Sequence, residues 1–198
     1  MKDSSMKKWV IAAGLAGVSY LLRFIAFPII PLVPYLKIEF ADVPVLLGFF
    51  ALGLSGGLTI GLLRSVLFFI VSGVSLPNLI DASTEFISTL AIALPVYLIL
   101  RGKDDPRVKD YLLAGLAGTA ALTLILAVAN VAVIMPAYIS ALGMQLSLPI
   151  SKMVLYGVIP FNLLKGASVI AVFALVYAKI HGWLSAKAAG FKVSHKQF

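Results

Sequence analysis

At 198 residues the chain is long enough for one compact unit. With 61% hydrophobic against 12% charged residues, and a mean hydropathy of +1.05, it lies far outside soluble composition, where about a quarter of residues are charged. The solvent is therefore a bilayer, and the net charge of +8 is mostly an orientation signal; a nucleic-acid surface would need a soluble basic face, which this chain lacks. There is no cysteine, so disulfides, thiol nucleophiles and thiolate metal sites are excluded. His181 and His195 both fall in the basic C-terminal region, away from the hydrophobic part, so no metal, cofactor or catalytic histidine is expected.

The N-terminus, MKDSSMKKWVIAAGLAGVSYLL, begins basic and runs apolar as a signal peptide does. The run outlasts a typical signal core and Arg23 is unlike a cleavage site, so the segment reads as a first retained span. A spanning helix needs about 20 apolar residues. That length predicts six spans, at roughly 8–27, 42–54, 56–73, 78–100, 111–135 and 152–180, in a single membrane-embedded domain covering 1–198. The expected class is an all-α membrane protein. The second span is the shortest, with Asp42 as its cap and Pro44 in its first turn.

Lysine and arginine in the flanks set the orientation. Lys2, Lys7 and Lys8 precede span one, Arg101, Lys103, Arg107 and Lys109 follow span four, and Lys179, Lys187, Lys192 and Lys196 lie in the C-terminal region. Six spans put all three groups on one face, so both termini are expected in the cytoplasm. The opposite face carries PIIPLVPYLKIEFAD between spans one and two. Its three prolines and the alternation of Leu36, Ile38 and Phe40 with Lys37 and Glu39 predict an ordered, extended flap. No internal repeat of the kind that builds larger secondary transporters is visible.

Ionisable groups inside spans are costly and usually face a bundle interior or a wet cavity. Here they are Arg64, Asp81, Glu85 and Lys165, joined by the amides Asn130 and Asn162. Asp81 and Glu85 are four apart and share a helix face. Two readings stand side by side. The groups converge on a ligand cavity in the outer half of the bundle, with Tyr138, Tyr156, Phe161 and Phe40 as aromatic walls. Alternatively, Arg64 and Lys165 pair with Glu85 and Asp81 as internal salt bridges, and the asparagines join helices by hydrogen bonds. Pro160, inside span six, frees the carbonyl of Tyr156 and is expected to bend the helix, turning Asn162 and Lys165 inward. In span one, Ala12 and Ala16 with Ala13, Gly17 and Ser19 form a small-residue stripe, suited either to packing within the chain or to a partner helix.

Four stretches resemble the substrate-binding S components of energy-coupling factor (ECF) vitamin transporters. They are AAGLAGV in span one, PYLKIEFADVPVLLGFFALG across the flap and span two, LLRSVLFFI in span three, and MPAYI with GVIPFNLLKG near the end. Together they cover nearly the whole chain, and the second and fourth look like the riboflavin and pantothenate branch. The resemblance implies a non-catalytic subunit of the bacterial cell membrane with six helices, binding a vitamin under the flap. Ala12 and Ala16 would contact a transmembrane coupling subunit, and two ATP-binding subunits would supply energy. This chain itself has no phosphate-binding GxxxxGK loop. The expected ligand contacts are Arg64, Asn130, Asn162, Lys165, Glu85, Asp81, Tyr138 and Phe40. Two buried cations suit a carboxylate, so pantothenate leads over riboflavin, although Asp81 and Glu85 can neutralise both; other vitamins such as cobalamin stay open. A proton-coupled carrier titrating Glu85, and a membrane hydrolase built on Asp81 and Glu85, are the competing classes.

Overall fold

The computed structural model describes residues 2–103 and 105–193, with side chains described over 6–103 and 105–182. Lys196 and His195 lie outside the described residues, as do the side chains of Lys2, Lys187 and Lys192. Helix α1 (Lys2–Leu22) leads into a short hairpin of β1 (Phe27–Pro28) and β2 (Lys37–Ile38), then α2 (Asp42–Val71), α3 (Leu76–Leu100) and α4 (Val108–Ala129). A π-helical turn, Asn130–Ile134, joins α4 to α5 (Met135–Leu142). After a loop, α6 (Ile150–Met153) passes through a second π-helical turn, Val154–Val158, into α7 (Ile159–Val193). Successive helices α1 to α4 pack on one another, and α7 closes the bundle against α2 and α4.

Among the described residues four helical stretches are long and apolar enough to cross a membrane: Asp42–Val71, Leu76–Leu100, Val108–Leu142 and Ile150–Gly182. The expected second and third spans are one continuous element, broken at Gly53, which takes φ 80° and ψ −174°. Glycine is needed there, since a Cβ makes this backbone region costly. The two arms fold back on each other. A Cβ at Gly48 would collide with Ile60, one at Gly57 with the Phe49 ring, and one at Gly61 would lie 3.6 Å from Val45 Cγ1. The first arm, 42–52, is about 16 Å long at 1.5 Å per residue, roughly half a hydrocarbon core. It is therefore not a full span by itself. Nor does Asp42 cap it: Ala41 holds the cap position with no side-chain bond, and Asp42 turns into the bundle.

Side chains are sorted inside out relative to a soluble bundle. On α4 the large Leu116, Leu124 and Val128 point outward at 72%, 67% and 68% exposure, while Ala114, Gly115 and Gly118 face the neighbouring helices. Small residues let helices approach closely where no hydrophobic effect drives them together.

Two of the membrane prolines are handled alike. Pro136 and Pro160 each lie one residue past a π-helical turn, and the intervening residue, Met135 or Ile159, donates its N–H five residues back, to Asn130 or Val154. A proline cannot bond the carbonyl four residues earlier and clashes with it; the wider turn relieves both faults. The expected bend at Pro160 is thus a π-helical turn.

The flap is ordered, as its prolines imply. Phe27 pairs with Ile38 and Pro28 with Lys37 in antiparallel register. Between the strands Val33, fully buried, plugs into Gly157, where a Cβ would lie 2.5 Å from Val33 Cγ1. At the other end Ser19 of α1 donates to the Ala41 carbonyl at 2.5 Å.

Candidate functional site

Folding α2 back at Gly53 brings together residues eleven positions either side of it: Asp42 and Arg64. Arg64 Nη1 donates to Asp42 Oδ1 at 3.0 Å, and both side chains are buried, at 1% and 0% exposure. Thr89 of α3 places its hydroxyl 2.6 Å from the same carboxylate oxygen. From α7, Lys165 Nζ approaches the other oxygen, Asp42 Oδ2, at 3.3 Å. Glu85 adds a second carboxylate, its Oε1 3.6 Å from Arg64 Nη2, and accepts from Arg23, whose guanidinium also lies 3.4 Å above the centre of the Phe68 ring. Such a cluster gains little over apolar packing, but breaking it leaves a bare buried charge, a cost of about 3–5 kcal/mol.

Above the cluster lies a cavity of about 610 Å³, within the range of about 300–1,000 Å³ usual for small-molecule sites. The flap lines it with Tyr35, Lys37 and Glu39, α3 with Asp81, Thr84, Glu85 and Ser88, and α7 with Phe161, Asn162 and Lys165. The α4–α5 stretch contributes Asn130 and Tyr138. Asn130 donates to the Leu126 carbonyl at 2.8 Å, and the Tyr138 hydroxyl donates to Asp81. Two groups stand apart. Both polar atoms of the Asn162 amide, Nδ2 and Oδ1, are buried without a partner, as is the Ser88 hydroxyl. Burial pushes the Glu39 carboxyl up to about 7, against the pull of Lys165.

Six of the eight expected contact residues line this cavity: Glu85, Asp81, Asn130, Tyr138, Asn162 and Lys165. Two do not. Arg64 lies beneath the floor, occupied by Asp42, and Phe40, half-buried, packs against the apolar core. Sequence reasoning misses the roles of Asp42 and Arg23: it makes Asp42 a helix cap and weighs Arg23 only against a cleavage site. The pairing of Asp42 with Arg64 was visible only to a reading that placed a reversal at Gly53. On α1, Ala12 and Ala16 are buried at 3% and 1% exposure in the core cluster that includes residues of α2. The outward small residues are Ala13 and Gly14, beside half-buried Gly17.

Three comparisons bear on what this cavity serves. The family described as ECF transporter, substrate-specific component, matches residues 7–177. The chain is 28% identical to the riboflavin transporter FmnP of Bacillus subtilis over 90% of its own length and 94% of the relative's. It is 29% identical to the riboflavin transporter RibU of Staphylococcus aureus over 90% and 92%, and 29% identical to that of Streptococcus thermophilus over 89% and 84%. A solved S component of a bacterial ECF transporter superposes with a TM-score of 0.74 at 28% identity, covering 91% of this chain and 98% of that one. Each named relative transports riboflavin, so the pantothenate expectation finds no support here and the riboflavin alternative does.

Proposed function

The chain belongs to the family of substrate-specific components of ECF transporters, and on that premise we propose that its cavity binds riboflavin as the capture step of uptake. It is a multi-pass bacterial membrane protein and a transport subunit, not an enzyme. The observation that carries the ligand assignment is Asn162, a buried amide with a free donor and a free acceptor at the cavity wall. Riboflavin presents an imide edge, an N–H flanked by carbonyls, which needs that combination; pantothenate presents a carboxylate, which needs a surplus cation. No surplus exists near the floor. Arg64 and Lys165 each lie against Asp42, and Arg23 against Glu85, so every cation at the floor already has a carboxylate beside it, which suits a neutral ligand.

In this reading Asn130, Asn162, Lys165 and Tyr138 contact ligand. Arg64 shapes the floor through Asp42, and Asp81 orients Tyr138. The arms of α2 count as two helices, giving six with both termini in the cytoplasm, in keeping with the basic flanks. A transmembrane coupling subunit meets the outward small residues Ala13, Gly14 and Gly17 of α1, and partner ATP-binding subunits drive the cycle.

Calorimetric titration of the purified protein in detergent tests this. Riboflavin should saturate a single site and pantothenate should give no heat of binding. Asn162→Ala should weaken riboflavin by about 10- to 100-fold, the worth of about 1–3 kcal/mol of lost hydrogen bonding. Its unfolding midpoint should not fall, because the amide has no internal partner to lose. Saturable pantothenate binding without riboflavin binding would overturn the assignment.

A further inference from the structure

Charged side chains of alternating sign form a chain across the bundle. It runs from Arg23, the residue after α1, through Glu85 of α3, then Arg64 and Asp42 on the two arms of α2, to Lys165 of α7. Its joints alternate as well. Arg23 donates directly to Glu85 Oε2, and Arg64 Nη1 donates to Asp42 Oδ1 at 3.0 Å. The other two joints are slack. Arg64 Nη2 is turned to the Thr89 hydroxyl at 2.5 Å and lies 3.6 Å from Glu85 Oε1. Lys165 Nζ lies 3.3 Å from Asp42 Oδ2, beyond the roughly 2.7–2.9 Å of a charge-assisted hydrogen bond. Among the described residues neither Glu85 Oε1 nor Asp42 Oδ2 has a hydrogen-bond partner.

A slack joint beside a tight one lets a shift in one pair reach the next. Lys165 borders the cavity, and Asp42 attracts its ammonium without bonding it, so the N–H donors stay available to a ligand. How far Asp42 draws the ammonium depends on how firmly Arg64 holds the same carboxylate, and Glu85 competes for Arg64. Arg23 settles that competition. It neutralises Glu85 from the end of α1, and its guanidinium is seated 3.4 Å above the centre of the Phe68 ring of α2. At 27% side-chain exposure it is the least buried member of the chain.

We infer that Arg23 is a positioning residue for ligand binding, acting on Lys165 through Glu85, Arg64 and Asp42. The inference rests on the reading in which Lys165 contacts riboflavin. Without the Arg23 charge, Glu85 closes its slack joint with Arg64. Arg64 then gives up part of its hold on Asp42, and the freed carboxylate draws Lys165 away from the cavity. Each step is Coulomb attraction between neighbours in a site where water and salt screen little. Arg23 also borders the cavity, so direct contact with ligand is the alternative to this route.

Riboflavin affinity, read by quenching of flavin fluorescence on titration with purified protein, separates the two. Arg23→Gln should weaken binding by about 3- to 10-fold, and Arg23→Lys, which keeps the charge, should stay within about 2-fold of wild type. Removing the bared carboxylate as well should rescue the loss: in Arg23→Gln with Glu85→Gln nothing pulls on Arg64, and affinity should return to within about 2-fold of wild type. In a Lys165→Met background, Arg23→Gln should change affinity by less than about 2-fold. A double variant as weak as Arg23→Gln, or the same loss with and without Lys165, would mean direct contact or a purely structural role and overturns the inference. Full affinity in Arg23→Gln overturns it too. If Arg23→Gln alone does not fold, the double variant decides. Lys165→Met that binds riboflavin as tightly as wild type, or wild type that binds none, overturns the proposed ligand contacts and this inference with them.

Discussion

The floor and the wall of the cavity use polar residues to opposite ends. At the floor, Asp42, Arg64, Lys165 and Thr89 come from three helices and close on one another within 3.3 Å. At the wall, Asn162 is as buried as its neighbours below, at 1% exposure, but neither polar atom of its amide has a partner. The difference teaches that a polar residue in a membrane span is not by itself a ligand contact. A charge that finds its counter-ion inside the bundle fixes how the helices sit. A polar group that burial leaves unpaired is the one that needs something from outside.

That contrast can be broken from the floor first. Asp42→Asn strips the counter-charge from Arg64 and Lys165 together, and should cost about 3–5 kcal/mol of stability, read as a large drop in unfolding midpoint with or without ligand. If the midpoint barely moved, the floor would be no more structural than the wall.

A smaller effect sharpens the contrast from the flap. Glu39 titrates near 7 in the folded chain against an ordinary carboxyl value of 4.5. The folded state therefore holds a proton that the unfolded state has released between those values. Stability from this group is fully present below about 4.5, declines as pH rises through 7, and is level above. Unfolding midpoints of the ligand-free protein should fall from pH 5 to pH 8, and Glu39→Gln should remove that part of the slope. A slope identical in the variant would assign it to another group.

The smallest effect belongs to the mouth. Tyr138→Phe removes the hydrogen bond to Asp81, a half-exposed pair, and should shift stability by no more than about 0.5–1.5 kcal/mol. A loss as large as that of Asp42→Asn would mean that the mouth is held as tightly as the floor.

Much of this was legible from the chain because the bilayer imposes local rules. Twenty apolar residues in a row must be helical to satisfy their own backbone, and a lone asparagine or lysine within them must point inward. Asn130, Asn162, Lys165 and Glu85 were readable on that ground, and three prolines in fifteen residues were enough to foresee an ordered flap. Which inward group meets which is a different kind of fact. Whether Arg64 serves ligand or Asp42 depends on a chain reversal at one glycine. Whether Ala12 faces a partner or α2 depends on how α1 is rotated, and Phe40 points to core or cavity by the register of a two-residue strand. Hydropathy and spacing are properties of one segment and were in the sequence. The pairing of charges across helices depends on crossing geometry summed over the bundle, and only the tertiary structure decided it.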